Sequence, residues 1–322
     1  LIHGDGSVDL GPARQILSSS PIAPPLVELA KKLELGEIPL SIREFRKIAP
    51  EISEAPTKDI EKLKGDSILT INSVSASYDQ DQASKALDDI SIEINGGEIV
   101  ALMGRNGAGK TTLLKCAVAQ APLTKGEVRV NQRDPKSFTD KELIRFVGYI
   151  PQDAGDLLYG QSIKQECDLA DFDNGVEPGT TLAIYKKLMK IPSLNSHPRD
   201  ISEGQRLGLA LSIILSAKPA LVILDEPTRG LDYEAKKVLI KILKQIASSL
   251  DRAVLISTHD VELVAEVADR VIFLADGEVI ADGSSREVLK ASPAFAPQVS
   301  KALPNNSWLS LSDVERYLSE KN

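Results

Sequence analysis

The 322-residue sequence has few of the features that indicate a secreted, membrane-spanning or nucleic-acid-binding protein. Its two cysteines, Cys116 and Cys167, are too few for a disulfide framework or a four-ligand zinc site. Its longest apolar runs, Leu209–Leu215 and Leu221–Leu224, are far shorter than the roughly 18 to 20 residues that cross a bilayer. With 38 basic and 46 acidic side chains, the net charge of −8 gives no general attraction for nucleic-acid phosphates. We therefore expect no membrane span, a reducing compartment and no nucleic-acid partner.

The composition is that of a globular protein. Hydrophobic residues make up 42% and charged residues 26% of the sequence, and the length suffices for about two domains. The chain begins at Leu1, without a basic segment followed by an apolar block, so a secretion signal is not expected. We interpret the sequence as part of a longer protein.

A repeat relates the two ends of the chain. The pair Asp5-Gly6 resembles Asp276-Gly277, and six residues that follow it recur at a constant offset of 272 positions. Turn-forming sequences are common enough to generate such pairs by chance, but the shared proline and arginine spacing favours a true repeat. The six residues Gly11, Arg14, Leu17, Ser20, Pro21 and Pro25 correspond to Gly283, Arg286, Leu289, Ser292, Pro293 and Pro297.

The repeat predicts a domain organisation. We interpret residues 1–50 as the final hairpin and C-terminal tail of a preceding copy of the domain. Residues 51–66 are rich in Glu, Lys, Pro and Ser, which is typical of a solvated linker. Residues 67–290 are expected to form the main domain, and residues 291–322 its own C-terminal tail.

Hydrophobic patterns within the main domain predict an α/β fold. Alternating residues at Ile68–Ser77 and Ile90–Ile94 indicate an antiparallel β lead-in, whereas helical spacing without a strand predicts a helical insertion at about 153–216. Nearly continuous apolar runs that alternate with helical segments indicate a parallel sheet with helices on its faces. The runs are Glu98–Met103, Phe146–Ile150, Leu221–Leu224 and Ala253–Ser257.

A phosphate-binding loop lies between the first of these strands and the predicted helix Lys110–Ala119. Its spacing is G-x-x-x-x-G-K-T, which allows successive backbone N–H groups and a helix N-terminus to face phosphate oxygens. We expect Lys110 to reach the β- and γ-phosphates and Thr111 to bind Mg²⁺. The phosphate-binding residues assigned to the loop are Gly104, Asn106, Gly107, Gly109, Lys110, Thr111 and Thr112.

Two adjacent carboxylates follow the buried strand Leu221–Leu224. Ligands of open α/β sheets bind at the carboxyl ends of the strands, and neighbouring strand residues point in opposite directions. Asp225 and Glu226 can therefore have different tasks. We expect Asp225 to hold Mg²⁺ and Glu226 to act as the general base that activates the attacking water.

The segment Ile201–Arg206 is similar to the Leu-Ser-Gly-Gly-Gln signature of ABC transporter nucleotide-binding subunits. With the motifs in this order, the region Tyr78–His259 resembles that family. The resemblance implies an α/β fold of the ABC ATPase type, which has a P-loop NTPase (RecA-like) core, an antiparallel β subdomain and a helical insertion. It also implies an ATPase that uses ATP and Mg²⁺.

The resemblance implies that the signature residues act on the nucleotide of a second ATPase domain, in the same polypeptide or in a homodimer. These residues are Ser202, Gly204 and Gln205. Glu203 replaces a glycine of the family pattern, and a carboxylate there would repel phosphate, so we expect it to face away.

Other roles are implied by the same resemblance. Gln152 would contact Mg²⁺ and the water, His259 the γ-phosphate, and Tyr78 the adenine ring, while Asp232 would link the two nucleotide sites. The expected catalytic residues are Glu226, His259 and Gln152, and the expected metal ligands are Thr111, Gln152 and Asp225.

Within the family, Val147–Asp153 and Asp156–Tyr159 resemble the ATPases of energy-coupling factor importers, which transport cobalt and vitamins. This resemblance implies a peripheral subunit on the cytoplasmic face of the membrane that drives import of a metal ion or vitamin through an integral membrane subunit. The alternative is a soluble ABC ATPase that acts on ribosomes or DNA, which the negative charge disfavours. A third alternative is a module that binds ATP without cleaving it. Glu226 and His259 disfavour it, whereas the carboxylate at Glu203 in the signature segment favours it.

Overall fold

The computed structural model of the chain describes residues 8–50, 63–78, 85–291, 295–303 and 308–321, apart from the side chains of Asp140 and Lys321. The described residues belong to two compact units, which we call the tail unit and the cassette unit. The tail unit comprises Leu1–Glu61, Val261–Glu266 and Arg286–Asn322, and the cassette unit comprises Lys62–Asp260 and Val267–Ser285.

The strands of the cassette unit form two sheets. A three-stranded antiparallel sheet has the order β2-β1-β4, and a six-stranded sheet has the order β5-β6-β7-β3-β8-β9. The six-stranded sheet is parallel except for β9, which pairs antiparallel with β8. The strands are β1 Ser67–Ser77, β2 Lys85–Asn95, β3 Ile99–Gly104, β4 Leu123–Val130, β5 Val147–Ile150, β6 Leu221–Asp225, β7 Ala253–Ser257, β8 Arg270–Ala275 and β9 Glu278–Ser284.

The strand order positions the site. Because β6, β7 and β3 are adjacent and parallel, the residues that follow their carboxyl ends meet at one edge of the sheet. These strands are apolar and buried along their length, as expected for a sheet with helices on its faces.

Helices surround this sheet. Between β5 and β6 the chain is helical, with a capping box at the start of α8 and no strand in this described stretch. The helices of the cassette unit are α4 Lys110–Ala117, α5 Asp140–Phe146, α6 Ile163–Asn174, α7 Thr180–Leu188, α8 Glu203–Ser216 and α9 Tyr233–Ile246. No helix among the described residues is long and apolar enough to cross a membrane.

The tail unit is helical and has its own core. Phe45, Leu29, Trp308 and Val314 are buried together, and the Trp308 and Tyr317 rings meet edge to face at 5.1 Å. Its helices are α1 Ala13–Ser19, α2 Pro25–Lys32, α3 Ile42–Ile48, α10 Val261–Val267, α11 Ser285–Ala291, α12 Gln298–Ala302 and α13 Leu311–Lys321.

The predicted α/β fold of the cassette is confirmed, with differences at some boundaries. The strand expected at Ile90–Ile94 begins at Lys85, because its first half pairs with β1 although it lacks clear alternation. The hairpin expected at Asp276-Gly277 joins β8 to β9, and both turn residues have positive φ angles of 49° and 82°. The corresponding pair Asp5-Gly6 lies outside the described residues.

Two domain boundaries differ from those expected. Residues 51–62 of the expected linker lie outside the described residues, but its last residues belong to the cassette, because Gly65 N donates to Gly96 O and Gly96 N to Asp66 O. The C-terminal segment of the tail unit begins at Arg286 rather than at 291, and the unit also includes Val261–Glu266 from within the expected main domain. Sequence reasoning could not find this segment, since its partners lie more than 30 residues further along the chain.

Candidate functional site

The loop between β3 and α4 depends on glycine at two positions. Gly104 has a φ of 148°, and a Cβ there would lie 2.3 Å from the Leu274 carbonyl oxygen. Gly109 has a φ of 100°, and a Cβ there would lie 2.4 Å from the Ala86 carbonyl oxygen. The tight curl is therefore available only to glycine, for both conformational and steric reasons.

The start of α4 is suited to an anion. Gly109 is the N-cap residue and provides no side-chain acceptor, so the first N–H groups of the helix receive no side-chain cap. The side chain of Lys110 folds back over the loop, and its Nζ donates to the Gly104 carbonyl at 2.9 Å and to the Arg105 carbonyl at 3.2 Å. A fixed positive charge therefore lies beside the uncapped helix start.

The structure brings together expected metal ligands from two distant segments. Thr111 Oγ1 donates to Asp225 Oδ2 at 2.7 Å, across 114 positions of sequence. Asp225 is only 4% exposed. Burial, and then the negative charge of Asp225, raises the pKa of Tyr149 to about 12, which places this tyrosine near the same carboxylate. Hydroxyl and carboxylate oxygens are ligands that Mg²⁺ prefers.

Glu226 and His259 lie together at the ends of β6 and β7. His259 Nδ1 is 2.7 Å from Glu226 Oε2, but the contact lacks hydrogen-bond geometry, and Oε2 is buried without a hydrogen-bond partner among the described residues. Glu226 has a positive φ of 51°, and its N–H donates to the Ser257 carbonyl at 2.8 Å. The backbone thus turns at the end of β6, and one oxygen of the Glu226 carboxylate has no hydrogen-bond donor among the described residues.

The remaining expected residues of the chain's own nucleotide site are placed as follows. Gln152 is exposed, two residues after the end of β5, and Tyr78 is 59% exposed, directly after β1. Asn106 and Gly107 are exposed in the loop, whereas Thr112 is buried in the first turn of α4. Their expected contacts with nucleotide stay predictions.

The signature segment forms the start of α8. Ser202 Oγ accepts the Gln205 N–H at 3.3 Å, and Gln205 Oε1 accepts the Ser202 N–H at 3.1 Å, which is a complete capping box. The Gln205 amide also donates to the Lys190 carbonyl at 3.1 Å. Both side chains are therefore satisfied within the chain.

Gly204 and Glu203 have contacts that the motif alone does not reveal. A Cβ at Gly204 would lie 2.8 Å from the Ala235 Cβ, so glycine allows α8 to pack closely against α9. Glu203 Oε1 accepts from Arg206 Nη1 at 2.7 Å, one turn along the helix. Asp232 caps α9 by accepting the Ala235 N–H at 2.8 Å. The segments around Gly204 and Asp232 thus form one packed pair of helix starts.

Sequence reasoning missed several residues of this region. Lys236 Nζ lies 2.6 Å from Asp260 Oδ2, which joins α9 to the residue after His259. Arg206 forms an ion pair with Glu203, and Tyr149 lies near Asp225. Only the spacing of Glu203 and Arg206 could have indicated a contact, since residues three apart on a helix are neighbours.

The residues present fit a nucleotide with Mg²⁺. The glycine curl leaves space that a Cβ would fill, the helix start lacks a cap, and Glu226 Oε2 lacks a donor. Among the described residues there is no cluster of three or more His, Cys, Asp or Glu that could hold a metal. A magnesium ion at Thr111 and Asp225 would thus take further oxygen ligands from phosphates and water, as this ion commonly does.

Comparison with protein families supports this interpretation of the site. A family model described as "ABC transporter" matches residues 87–229, and one described as an AAA domain matches residues 195–265. The first span includes the phosphate-binding loop, the signature segment and both carboxylates at the end of β6.

Curated relatives have the names of ABC transporter ATP-binding proteins. One from Streptomyces avermitilis is 40% identical over 96% of this chain and 60% of its own length. Another, from Clostridium acetobutylicum, is 34% identical over 68% of this chain and 80% of its own length. The chain therefore spans only about 60% of the length of the Streptomyces protein.

Solved structures show the same architecture. CbiO1 of Clostridium perfringens, described as part of the ABC transporter complex CbiONQ, is 27% identical with a TM-score of 0.64, over 74% of this chain and 97% of that structure. The cassette MJ0796, described as a post-hydrolysis dimer with ADP and Pi, is 24% identical with a TM-score of 0.60, over 68% of this chain and 99% of that structure. At this identity the second match supports the fold alone.

Proposed function

The chain belongs to the family of ABC transporter ATP-binding proteins, and we propose that it is the second ATPase half of a tandem polypeptide that drives solute import. Domains of this family bind ATP with Mg²⁺ and hydrolyse it. The solute would be a metal ion or a vitamin, and it would pass through a separate membrane protein.

The phosphate-binding loop would hold the nucleotide of this half. The Lys110 ammonium would exchange its loop carbonyl partners for phosphate oxygens, and the uncapped N–H groups of α4 would donate to the same anion. Thr111 and Asp225 would hold Mg²⁺, which when bound offsets the phosphate charge and orients the terminal phosphate. The expected roles of Tyr78 and Gln152 at the adenine and the metal are part of this proposal.

Glu226 would activate the water. Its Oε2 has no donor among the described residues, so it can accept a proton from a water molecule that attacks the terminal phosphate. His259 Nδ1 lies 2.7 Å from this oxygen, where the imidazole can orient the carboxylate or contact the phosphate. The bond between the terminal phosphorus and the bridging oxygen would break, ADP and inorganic phosphate would leave, and the water proton would reside on Glu226 until solvent removes it.

The tandem arrangement is supported by the repeat and by the relatives. The bounds of α1 plus 272 are the bounds of α11, so the two ends of the chain share helices as well as sequence. The Streptomyces avermitilis relative extends well beyond this chain, which leaves length for another cassette. A second ATPase domain is needed because Ser202, Gly204 and Gln205 would act on a partner's nucleotide; a homodimer of this chain would be the other source.

The import role is supported by the likeness to CbiO1, which is part of a complex, and by the sequence at Val147–Asp153. A subunit of such a complex would be peripheral, on the cytoplasmic face of the membrane, where ATP is supplied. The negative net charge gives no support for nucleic acid as a partner.

The observation that carries the proposal is the 2.7 Å hydrogen bond between Thr111 and Asp225 beside the Lys110 loop. The test is uptake by cells that produce the full-length polypeptide, either unchanged or as Lys110→Ala. Loss of a charge-assisted phosphate contact costs about 3 kcal/mol, so we expect ATP affinity to fall on the order of a hundredfold.

Uptake of one solute from a panel of labelled cobalt, nickel, thiamine, biotin and riboflavin should stop in the same variant. Lys115→Ala, which removes the same charge from the same helix, is the matched control and should retain binding and uptake. Unchanged uptake of every solute in Lys110→Ala would contradict the import role, and unchanged ATP affinity would contradict the site.

A further inference from the structure

The tail unit contains two copies of one helical motif. The first copy is α1, α2 and α3, and the second is α11, α12 and α13. Ser41 Oγ accepts the Glu44 N–H at 3.2 Å at the start of α3, and Ser310 Oγ accepts the Asp313 N–H at 3.1 Å at the start of α13. Both third helices thus begin with the same cap at an offset of 269 positions.

An ion pair recurs with the cap. Arg14 Nη2 lies 2.9 Å from Glu44 Oε2, and Arg286 Nη2 lies 3.3 Å from Asp313 Oδ1. Each carboxylate also accepts the N–H of the leucine four residues earlier. Leu40 N donates to Glu44 at 2.9 Å and Leu309 N to Asp313 at 3.0 Å. Because the contacts match, the copies have the same local structure.

The copies differ in what covers them. Leu40 is 46% exposed, but its counterpart Leu309 is 3% exposed. The Arg14 and Glu44 side chains are 47% and 41% exposed, against 20% and 9% for Arg286 and Asp313. Helix α1 has no buried residue, whereas α11 buries Leu289. We call the face around Leu40, Arg14 and Glu44 the docking face. It is exposed in the first copy, whereas the corresponding face of the second copy is buried.

Helix α10 lies at the second copy. Glu262 Oε1 accepts the Gln298 N–H at 2.7 Å, and Glu266 Oε1 accepts the Leu311 N–H at 2.8 Å. Glu266 Oε2 also accepts from Ser312 Oγ at 2.6 Å. Two carboxylates four residues apart on α10 thus accept hydrogen bonds from the first turns of α12 and α13.

We propose that the docking face of the first copy, around Leu40, Arg14 and Glu44, binds an acidic helix of an ATPase cassette that precedes this chain. The helix would be that cassette's counterpart of α10, with two carboxylates four residues apart. This inference rests on the proposed tandem arrangement. The internal repeat, the burial of the same face in the second copy and the greater length of the relative together identify this occupant.

The arrangement has a functional consequence. Ala30 and Phe45 of the first copy and Ala302 and Val314 of the second copy belong to one buried cluster. If the first copy binds its α10 counterpart as the second copy contacts α10 here, the counterpart helices of both halves would join one helical core. In this chain α10 begins two residues after His259.

The test compares the full-length polypeptide with the 322-residue chain by amide hydrogen exchange over residues 36–48. We expect these amides to exchange at least about tenfold more slowly in the full-length protein, because the docked helix would cover them. Leu40→Arg should remove this protection in the full-length protein but leave the melting temperature of the 322-residue chain unchanged, since Leu40 is half exposed there.

Ser18→Arg is the matched control, because its counterpart Lys290 is already an exposed cation. Equal exchange in the two proteins would overturn the proposal. Protection in the 322-residue chain that grows with concentration would also overturn it, and would identify a second copy of the chain as the occupant. ATP binding and hydrolysis measured on the same unsubstituted samples separate this inference from the function, because equal exchange in the two proteins with intact turnover contradicts only the docking.

Discussion

Helices α4 and α8 of the cassette both begin at a segment that is expected to contact nucleotide phosphates. They differ in whether a side chain caps the first backbone N–H groups of the helix. At α4 the N-cap is Gly109, which has no side chain, and the Lys110 ammonium donates to a loop carbonyl. At α8 the Ser202 and Gln205 side chains complete a capping box. The first N–H groups of α4 receive no side-chain cap and can donate to a nucleotide bound by this chain, whereas α8 is capped by its own side chains without a ligand.

Of these two helix starts, the first adjoins the side chains that we propose to act in hydrolysis. Thr111 meets Asp225, and Glu226 meets His259, at the adjoining strand ends. The signature start instead packs through Gly204 on α9, whose cap is Asp232. A helix start that is already capped suits a surface that meets a partner's phosphate only when two domains close.

Glu226→Gln should have the largest effect on the α4 side. Removing the base should lower the turnover number of this half about 10²- to 10⁴-fold while ATP stays bound, because the glutamine amide cannot accept the water proton. Phosphate release and retained nucleotide, measured in the full-length polypeptide, check this. Glu234→Gln, an exposed carboxylate on α9, is the control. Undiminished hydrolysis in Glu226→Gln would show that Glu226 is not the general base.

Gly204→Ala should act on the α8 side through packing. The new Cβ would lie 2.8 Å from the Ala235 Cβ, and overpacking of this kind costs about 1–3 kcal/mol of unfolding free energy. Chemical denaturation measures the loss, and Gly36→Ala, whose Cβ would have nothing within 4 Å, is the control. ATP affinity of the isolated chain should stay unchanged. A tenfold weaker affinity would mean that the signature contacts the chain's own nucleotide.

Ser202→Ala should have the smallest effect and separates capping from partner binding. Loss of the cap costs about 1 kcal/mol, and Ser162→Ala, which removes the equivalent cap of α6, should cost a similar amount. Only Ser202→Ala should weaken the ATP-dependent closure of two ATPase domains, which small-angle X-ray scattering or a donor–acceptor fluorescence pair in the full-length protein can follow. Equal behaviour of both variants would show that Ser202 is a cap alone.

Much of the site could be predicted because its motifs are local. The spacing of Gly104, Gly109 and Lys110 requires a tight curl before a helix, and the apolar run before Asp225 indicates a buried strand. The sequence places Thr111 and Asp225 at one expected metal site, but only the structure shows the direct hydrogen bond between these positions 114 apart. The sequence did not reveal Lys236 beside Asp260 or Tyr149 near Asp225.

The tail unit shows the same limit. The repeat at an offset of 272 was visible, and it identified Arg14 with Arg286. Their carboxylate partners, Glu44 and Asp313, follow a different offset of 269, so the paired contact emerged only from the structure.

Local sequence is enough for the curled loop, the helix caps and the buried strands, because backbone conformation and capping chemistry depend on neighbouring residues. Tertiary packing sets the strand order β5-β6-β7-β3, the approach of Gly204 to Ala235 and the unequal burial of Leu40 and Leu309. Those features depend on which distant surfaces pack together, and close packing of distant side chains leaves no periodic signal along the chain.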